Sequence, residues 1–198
     1  MAKRGITPSQ TVGPYFKIWL TPSPEIAMRP LVGADLVTPD TVGDLIRIEG
    51  RVIDGNGEPV PDAMVEIWQA DGAGRYSHAT GMPPPNTTFK GFGRSECDAD
   101  GRYRFSTVKP GPVPGPDGRS QAPHINVGVF ARGILRRMFT RIYFDDESAN
   151  VGDPILDLVP ADRRATLIAR RDGEEDGLPR YVFDIRLQGG VETVFFEA

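Results

Sequence analysis

Hydrophobic and polar residues begin to alternate at Leu45. Ile46, Ile48 and Val52 fall on one side; Arg47, Glu49 and Arg51 fall on the other. A period of two marks a half-buried β-strand. Asp54-Gly55-Asn56-Gly57 then supplies a turn. Ala63–Ala70 is a second strand with apolar residues on both faces (Met64, Val65, Ile67, Trp68), which predicts a central, buried position. Asp71-Gly72-Ala73-Gly74 turns the chain again. Residues 77–96 are polar, contain Pro83-Pro84-Pro85 and predict a long loop. Asp98-Ala99-Asp100-Gly101 leads into a strand with Tyr103 and Phe105 on one face and Arg102 and Arg104 on the other. Lys109–Ala122, rich in Pro and Gly, predicts a second long loop. Further strands are predicted at His124–Phe130, Met138–Phe144, Tyr181–Leu187 and Glu192–Phe196. Pro160–Ala169 is the best helix candidate, because Pro suits a first helical position and Leu167 and Ile168 supply apolar surface. About seven short strands joined by Gly and Pro turns predict an all-β fold, an antiparallel β-sandwich with long loops and little helix.

Residues 1–44 are mostly irregular and Pro-rich, with short apolar pieces such as Phe16–Leu20. The chain therefore divides into an N-terminal arm over 1–44 and a β domain over 45–198. A length of 198 residues suits one domain of this kind. The 23 glycines and 19 prolines fit a chain with many turns. A net charge of −4 gives no support for general nucleic-acid binding. Cys97 is the single cysteine, so no intramolecular disulfide forms, which fits a reducing compartment. Lys3 and Arg4 are followed by Thr7, Pro8, Ser9 and Gln10 rather than an apolar run. No signal peptide and no membrane span is read, and a soluble cytoplasmic protein is expected.

The residues that carry chemistry are few. The two histidines, His78 and His124, are too few for a three-His metal site, and Cys97 has no second cysteine beside it. His124 and Asn126 share one face of a strand, two residues apart. A second histidine at 126 would complete a chelate, whereas a carboxamide is a weak ligand beside imidazole. On the residues alone, His124 reads as a hydrogen-bonded structural histidine. No Gly-x-Ser-x-Gly elbow and no P-loop occurs, and Gly91-Phe92-Gly93 lacks the third glycine of a dinucleotide fingerprint.

Several segments taken in order tell more. They are Thr7-Pro8-Ser9-Gln10-Thr11-Val12-Gly13-Pro14-Tyr15, Asp54-Gly55-Asn56-Gly57, Val65-Glu66-Ile67-Trp68-Gln69-Ala70-Asp71, Gly74-Arg75-Tyr76, Thr107-Val108-Lys109-Pro110-Gly111, Ala122-Pro123-His124-Ile125-Asn126, Thr140-Arg141-Ile142-Tyr143-Phe144-Asp145-Asp146-Glu147 and Tyr181–Gly189. Together they resemble the intradiol ring-cleaving dioxygenases, in the branch that acts on protocatechuate, over nearly the whole chain. The resemblance implies aromatic catabolism through the β-ketoadipate pathway. Catalytic members hold a non-heme Fe(III) through two tyrosines and two histidines. The matching positions here are Tyr76, Val113, His124 and Asn126, so two of the four ligands are replaced. The resemblance therefore implies a chain without iron, in which these four are vestigial ligand positions.

That branch pairs an iron-bearing beta-type subunit with a homologous alpha-type subunit that lacks the metal. The Ser-Gln-Thr-x-Gly-Pro-Tyr start, Phe130-Ala131-Arg132-Gly133 and Glu192-Thr193-Val194-Phe195-Phe196 resemble the alpha type. The resemblance then implies that the active site lies at the alpha–beta contact, that Fe(III) is bound by the partner, and that this chain carries no catalytic residue of its own. Thr11, Gly13, Pro14, Tyr15 and Arg132 are the implied substrate-binding residues. Gly13 permits close approach because it has no side chain. Pro14 is rigid, Tyr15 adds a flat ring, and Arg132 offers a fork for the substrate carboxylate. Other readings stay open on the residues: an ordinary turn at Gly13–Tyr15, a solvated Arg132, and a β-sandwich scaffold with no part in any site. A self-sufficient dioxygenase with altered ligands is a further one.

Overall fold

The structure, a computed structural model, describes residues 13, 16–21, 31–77, 89–115 and 118–197. The strands are β1 (Leu45–Ile53), β2 (Met64–Gln69), β3 (Phe92–Glu96), β4 (Arg102–Val108), β5 (Val113–Pro114), β6 (Ser120–Gln121), β7 (Ile125–Phe130), β8 (Met138–Phe144), β9 (Ile168–Glu175), β10 (Leu178–Val182) and β11 (Ile185–Arg186). One short helix, α1, spans Phe16–Leu20.

The main sheet runs β11-β1-β10-β9-β8-β7-β2-β3, with β4 on the other edge of β1. The sheet folds over so that its two halves share one core. Ile46, Ile48 and Phe105 from β1 and β4 pack in the same cluster as Val65, Ile67, Val127, Ile142 and Phe144 from β2, β7 and β8. Each such side chain contributes about 1.5–3 kcal/mol on leaving water. This is the sandwich that the alternation predicts, and β1 shows it directly: Ile46, Ile48 and Val52 are buried while Arg47, Glu49 and Arg51 are not.

The structure corrects the expected layout in several places. Three ladders, β1–β10, β1–β11 and β8–β9, are parallel. They arise where the chain returns to an edge after a long excursion instead of a hairpin. β2 is hydrogen-bonded on both sides, by β3 and β7, yet Trp68 is 46% exposed, so the strand is not buried on both faces. The 77–96 loop ends early, because Phe92–Glu96 pairs with β2 as β3. Pro160–Ala169 forms no α-helix. A single 3-10 turn, Arg164–Leu167, leads straight into β9, whose IARRDGEE sequence shows no alternation. Tyr181–Leu187 is split into the end of β10 and β11, and of Glu192–Phe196 only Phe196 bridges to the sheet, at Phe139. Within the arm, Leu36 joins the core, and the Ser106 and Ala34 backbones are hydrogen-bonded. Arg94 ties the end of α1 to β3 by donating to the Leu20 carbonyl at 3.3 Å.

Candidate functional site

Of the four positions that the resemblance marks as ligand positions, Tyr76 and Asn126 are in contact, His124 stands two residues before Asn126 at the start of β7, and Val113 lies on β5. Tyr76 is delivered by a tight turn. The Asp71 carboxylate accepts from the Ala73 and Arg75 backbone amides, both at 2.9 Å, and pairs with the Arg75 guanidinium. Gly74 has φ +75, and a Cβ there would lie 2.1 Å from the Pro112 carbonyl oxygen. Only glycine lets this turn press against the 110–112 loop. Val113 opens β5, buried at 5%, and its register partner on β6 is Gln121. His124 and Asn126 lie at the start of β7, 3% and 7% exposed.

The contacts show what each residue does. The Tyr76 ring lies 4.6 Å from that of Trp68, and its hydroxyl accepts from Asn126 Nδ2 at 3.4 Å. Burial raises the Tyr76 pKa, partly offset by that hydrogen bond and by the nearby Arg141 charge. His124 Nδ1 lies 2.8 Å from the Ala122 carbonyl. A carbonyl only accepts, so Nδ1 carries the proton and the ring is fixed in that tautomer. Burial, then Arg141, lower the His124 pKa to about 4, so the ring is neutral at pH 7. Behind it stands Tyr143, 5.8 Å ring to ring, whose hydroxyl donates to Asp153 at 3.2 Å. Asp153 is fully buried and also accepts from the backbone amides of Ala122, Ile155 and Leu156 at 2.7–2.9 Å.

Arg141 was not among the residues picked out from the sequence. It lies on β8 directly opposite Asn126. Paired residues of an antiparallel ladder point to the same face, so a guanidinium stands beside the former ligand set. It donates to Gln121 Oε1 at 2.8 Å and to the Tyr143 hydroxyl at 3.4 Å. The register of β7 with β8 is the signal that finds it, and strand register is not written in the sequence. Gln121 and Asp153 were missed for the same reason.

This donor set does not fit ferric iron. One phenol is hydrogen-bonded to an amide, one ligand position is an isopropyl group, one is a carboxamide, and a permanent cation faces them. Among the described residues no group of three or more His, Cys, Asp or Glu is placed to hold a metal.

Of the implied substrate-binding residues, Thr11, Pro14 and Tyr15 lie outside the described residues, as does His78. Gly13 is exposed, and apart from its chain neighbours no heavy atom of the described residues lies within 4 Å of where a Cβ would stand. Arg132 follows β7 in an exposed turn and forms a close ion pair with Asp62.

The dioxygenase family model matches residues 13–189. The chain belongs to the intradiol dioxygenase family. The protocatechuate 3,4-dioxygenase alpha chain of Burkholderia cepacia is 47% identical to it over 195 residues, which cover 96% of each chain. The protocatechuate 3,4-dioxygenase beta chain of Burkholderia cepacia is 40% identical over 157 residues, 76% of this chain and 67% of that one. Among solved structures, the dioxygenase domain of a dioxygenase carbohydrate-binding protein fusion from Streptomyces sp. SirexAA-E is 27% identical with a TM-score of 0.61. It covers 91% of this chain, and this chain covers 97% of it.

Proposed function

We infer that this chain is the alpha subunit of a protocatechuate 3,4-dioxygenase. The observation that carries the reading is 47% identity to a named alpha chain over 96% of both chains. The reaction inserts both atoms of O2 into 3,4-dihydroxybenzoate, breaks the ring bond between the two hydroxyl-bearing carbons and gives 3-carboxy-cis,cis-muconate. The Fe(III) belongs to a homologous beta subunit, and the chains assemble as alpha–beta pairs in the cytoplasm. The N-terminal arm over 1–44 contributes to the partner contact and to the pocket wall. Thr11, Gly13, Pro14 and Tyr15 face the flat substrate, and Arg132 holds its carboxylate.

The role of this chain is to shape and charge the pocket, not to carry the oxidation. A bare Gly13 backbone admits a ring closely, and an arginine fork matches a carboxylate. One observation favours the scaffold reading at one point: Arg132 is already held by Asp62. For Arg132 to serve the substrate, that exposed pair must open, which surface ion pairs do at a cost of about 0–1 kcal/mol.

Co-expression with the beta-type chain, followed by iron and oxygen-uptake assays, tests the reading. The pair is expected to hold iron and cleave protocatechuate. This chain alone is expected to lack stoichiometric iron and the phenolate-to-iron colour. A metal-loaded, active chain on its own overturns the assignment.

A further inference from the structure

We propose that Arg141 is a built-in cation that bars metal from the vestigial site, so that the site has been inverted in charge as well as stripped of ligands. This rests on the alpha-subunit reading and deepens it. The geometry points to it in three ways. First, the β7–β8 register sets Arg141 opposite Asn126, on the face that also carries His124. Second, the guanidinium is held in place. Gln121 Oε1 accepts from it at 2.8 Å, while Gln121 Nε2 donates to the Pro114 carbonyl at 3.1 Å. Gln121 thus ties Arg141 to the two-stranded β5–β6 ladder that carries Val113. Third, among the described residues no carboxylate touches the guanidinium, and Asp153 is linked to it only through the Tyr143 hydroxyl. Both hydrogen-bond partners of the guanidinium are neutral oxygens, and no carboxylate among the described residues forms an ion pair with it.

Arginine stays protonated at any ordinary pH. In a half-buried place its field is screened less than at the surface, and an incoming metal cation meets repulsion that water does not dissipate. Restoring ligands alone therefore does not restore a metal site.

The test uses the complete chain purified with its beta-type partner, with iron counted per alpha–beta pair. Val113→Tyr with Asn126→His is expected to add no iron beyond the partner's. Adding Arg141→Gln to those two changes is expected to raise iron uptake at this site at least ~tenfold, the scale on which outer-shell changes act on metal affinity. Arg141→Lys in the same background keeps the charge and is expected to leave the iron out. Equal iron in the double and the Arg141→Gln triple variant, high or low, overturns the proposal. If the triple variant does not fold by circular dichroism, Arg141→Gln alone is compared with the parent using Co2+ as the probe. At least ~tenfold tighter Co2+ binding supports the proposal, and unchanged affinity overturns it. Iron on the parent chain expressed without the beta-type chain would instead sink the alpha-subunit reading.

Discussion

Tyr103 and Tyr76 are both held in the sandwich by hydrogen bonds through their hydroxyls, but the bonds differ in kind. Tyr103 is 2% exposed and donates to the Phe183 carbonyl at 2.6 Å, stitching β4 to the segment after β10. Burial pushes its pKa well up, which keeps the donor proton in place. Tyr76 is half-buried, leans on Trp68 and, among the described residues, its hydroxyl meets the Asn126 amide, at 3.4 Å. The first is bonded as a structural group is, with a short contact and a partner that would be orphaned without it. The second is bonded loosely, by a single long contact among the described residues. The floor of the vestigial site resembles Tyr103: Asp153 accepts four hydrogen bonds there. The floor is tightly bonded through Asp153, and the rim, between Tyr76 and Asn126, is loosely bonded.

The largest effect expected from this contrast is at Asp153. Asp153→Ala leaves three backbone amides and the Tyr143 hydroxyl unpaired in the interior and is expected to cost about 3–4 kcal/mol. Urea denaturation measures it; a loss under about 1 kcal/mol would place the floor with the rim.

His124 gives the next. Its folded-state pKa of about 4 lies below the ordinary value of 6.5. The unfolded chain therefore takes up the proton first, and stability falls as the pH drops from about 6.5 towards about 4. The shift is worth about 2–3 kcal/mol at pH 4.5. Comparing urea midpoints at pH 7 and 4.5 for the parent and for His124→Gln isolates it. An unchanged pH dependence in His124→Gln would show that other groups dominate.

Tyr103→Phe removes one donor from a buried carbonyl and is expected to cost about 1–2 kcal/mol. Tyr76→Phe is expected to stay within about 0.5 kcal/mol, because its bond is long and the site is partly open to water. Equal costs at the two tyrosines would erase the distinction between them.

The substrate-facing half of the reading answers to kinetics. With iron and assembly intact, Tyr15→Ala is expected to lower kcat/KM at least ~tenfold, which is about 1.4 kcal/mol of lost contact. Gly13→Val should act likewise, and Arg132→Ala should harm protocatechuate more than uncharged catechol. Parental rates in all three would make this chain a scaffold.

Much of this was legible in advance. The alternation at Leu45–Ile53 and Arg102–Val108 fixed both strands and both faces, because burial on one side of a pleat imposes a period of two. Of the four positions the ordered motifs pointed to, the fold brings Tyr76 and Asn126 into contact and sets Val113 opposite Gln121. The misses have physical causes. β9 is charged along its length and forms by pairing in parallel with Phe144 and antiparallel with β10, so its sequence holds no pattern to read. Pro160–Ala169 had a helical start, but Leu167 is drawn into a cluster with Tyr143 and Leu156, and that packing wins over a helix with little apolar surface.

By itself, the sequence determined that the chain is all-β and where its best strands lie. These are local properties: pleat periodicity, turn chemistry and the identity of single side chains. Only the tertiary structure decided that β1 and β8 take parallel partners, that Trp68 faces outward, and that Arg141 stands across from Asn126. Each depends on which strand lies beside which and in what register. Register is set by packing between segments far apart in the chain, so no single segment encodes it.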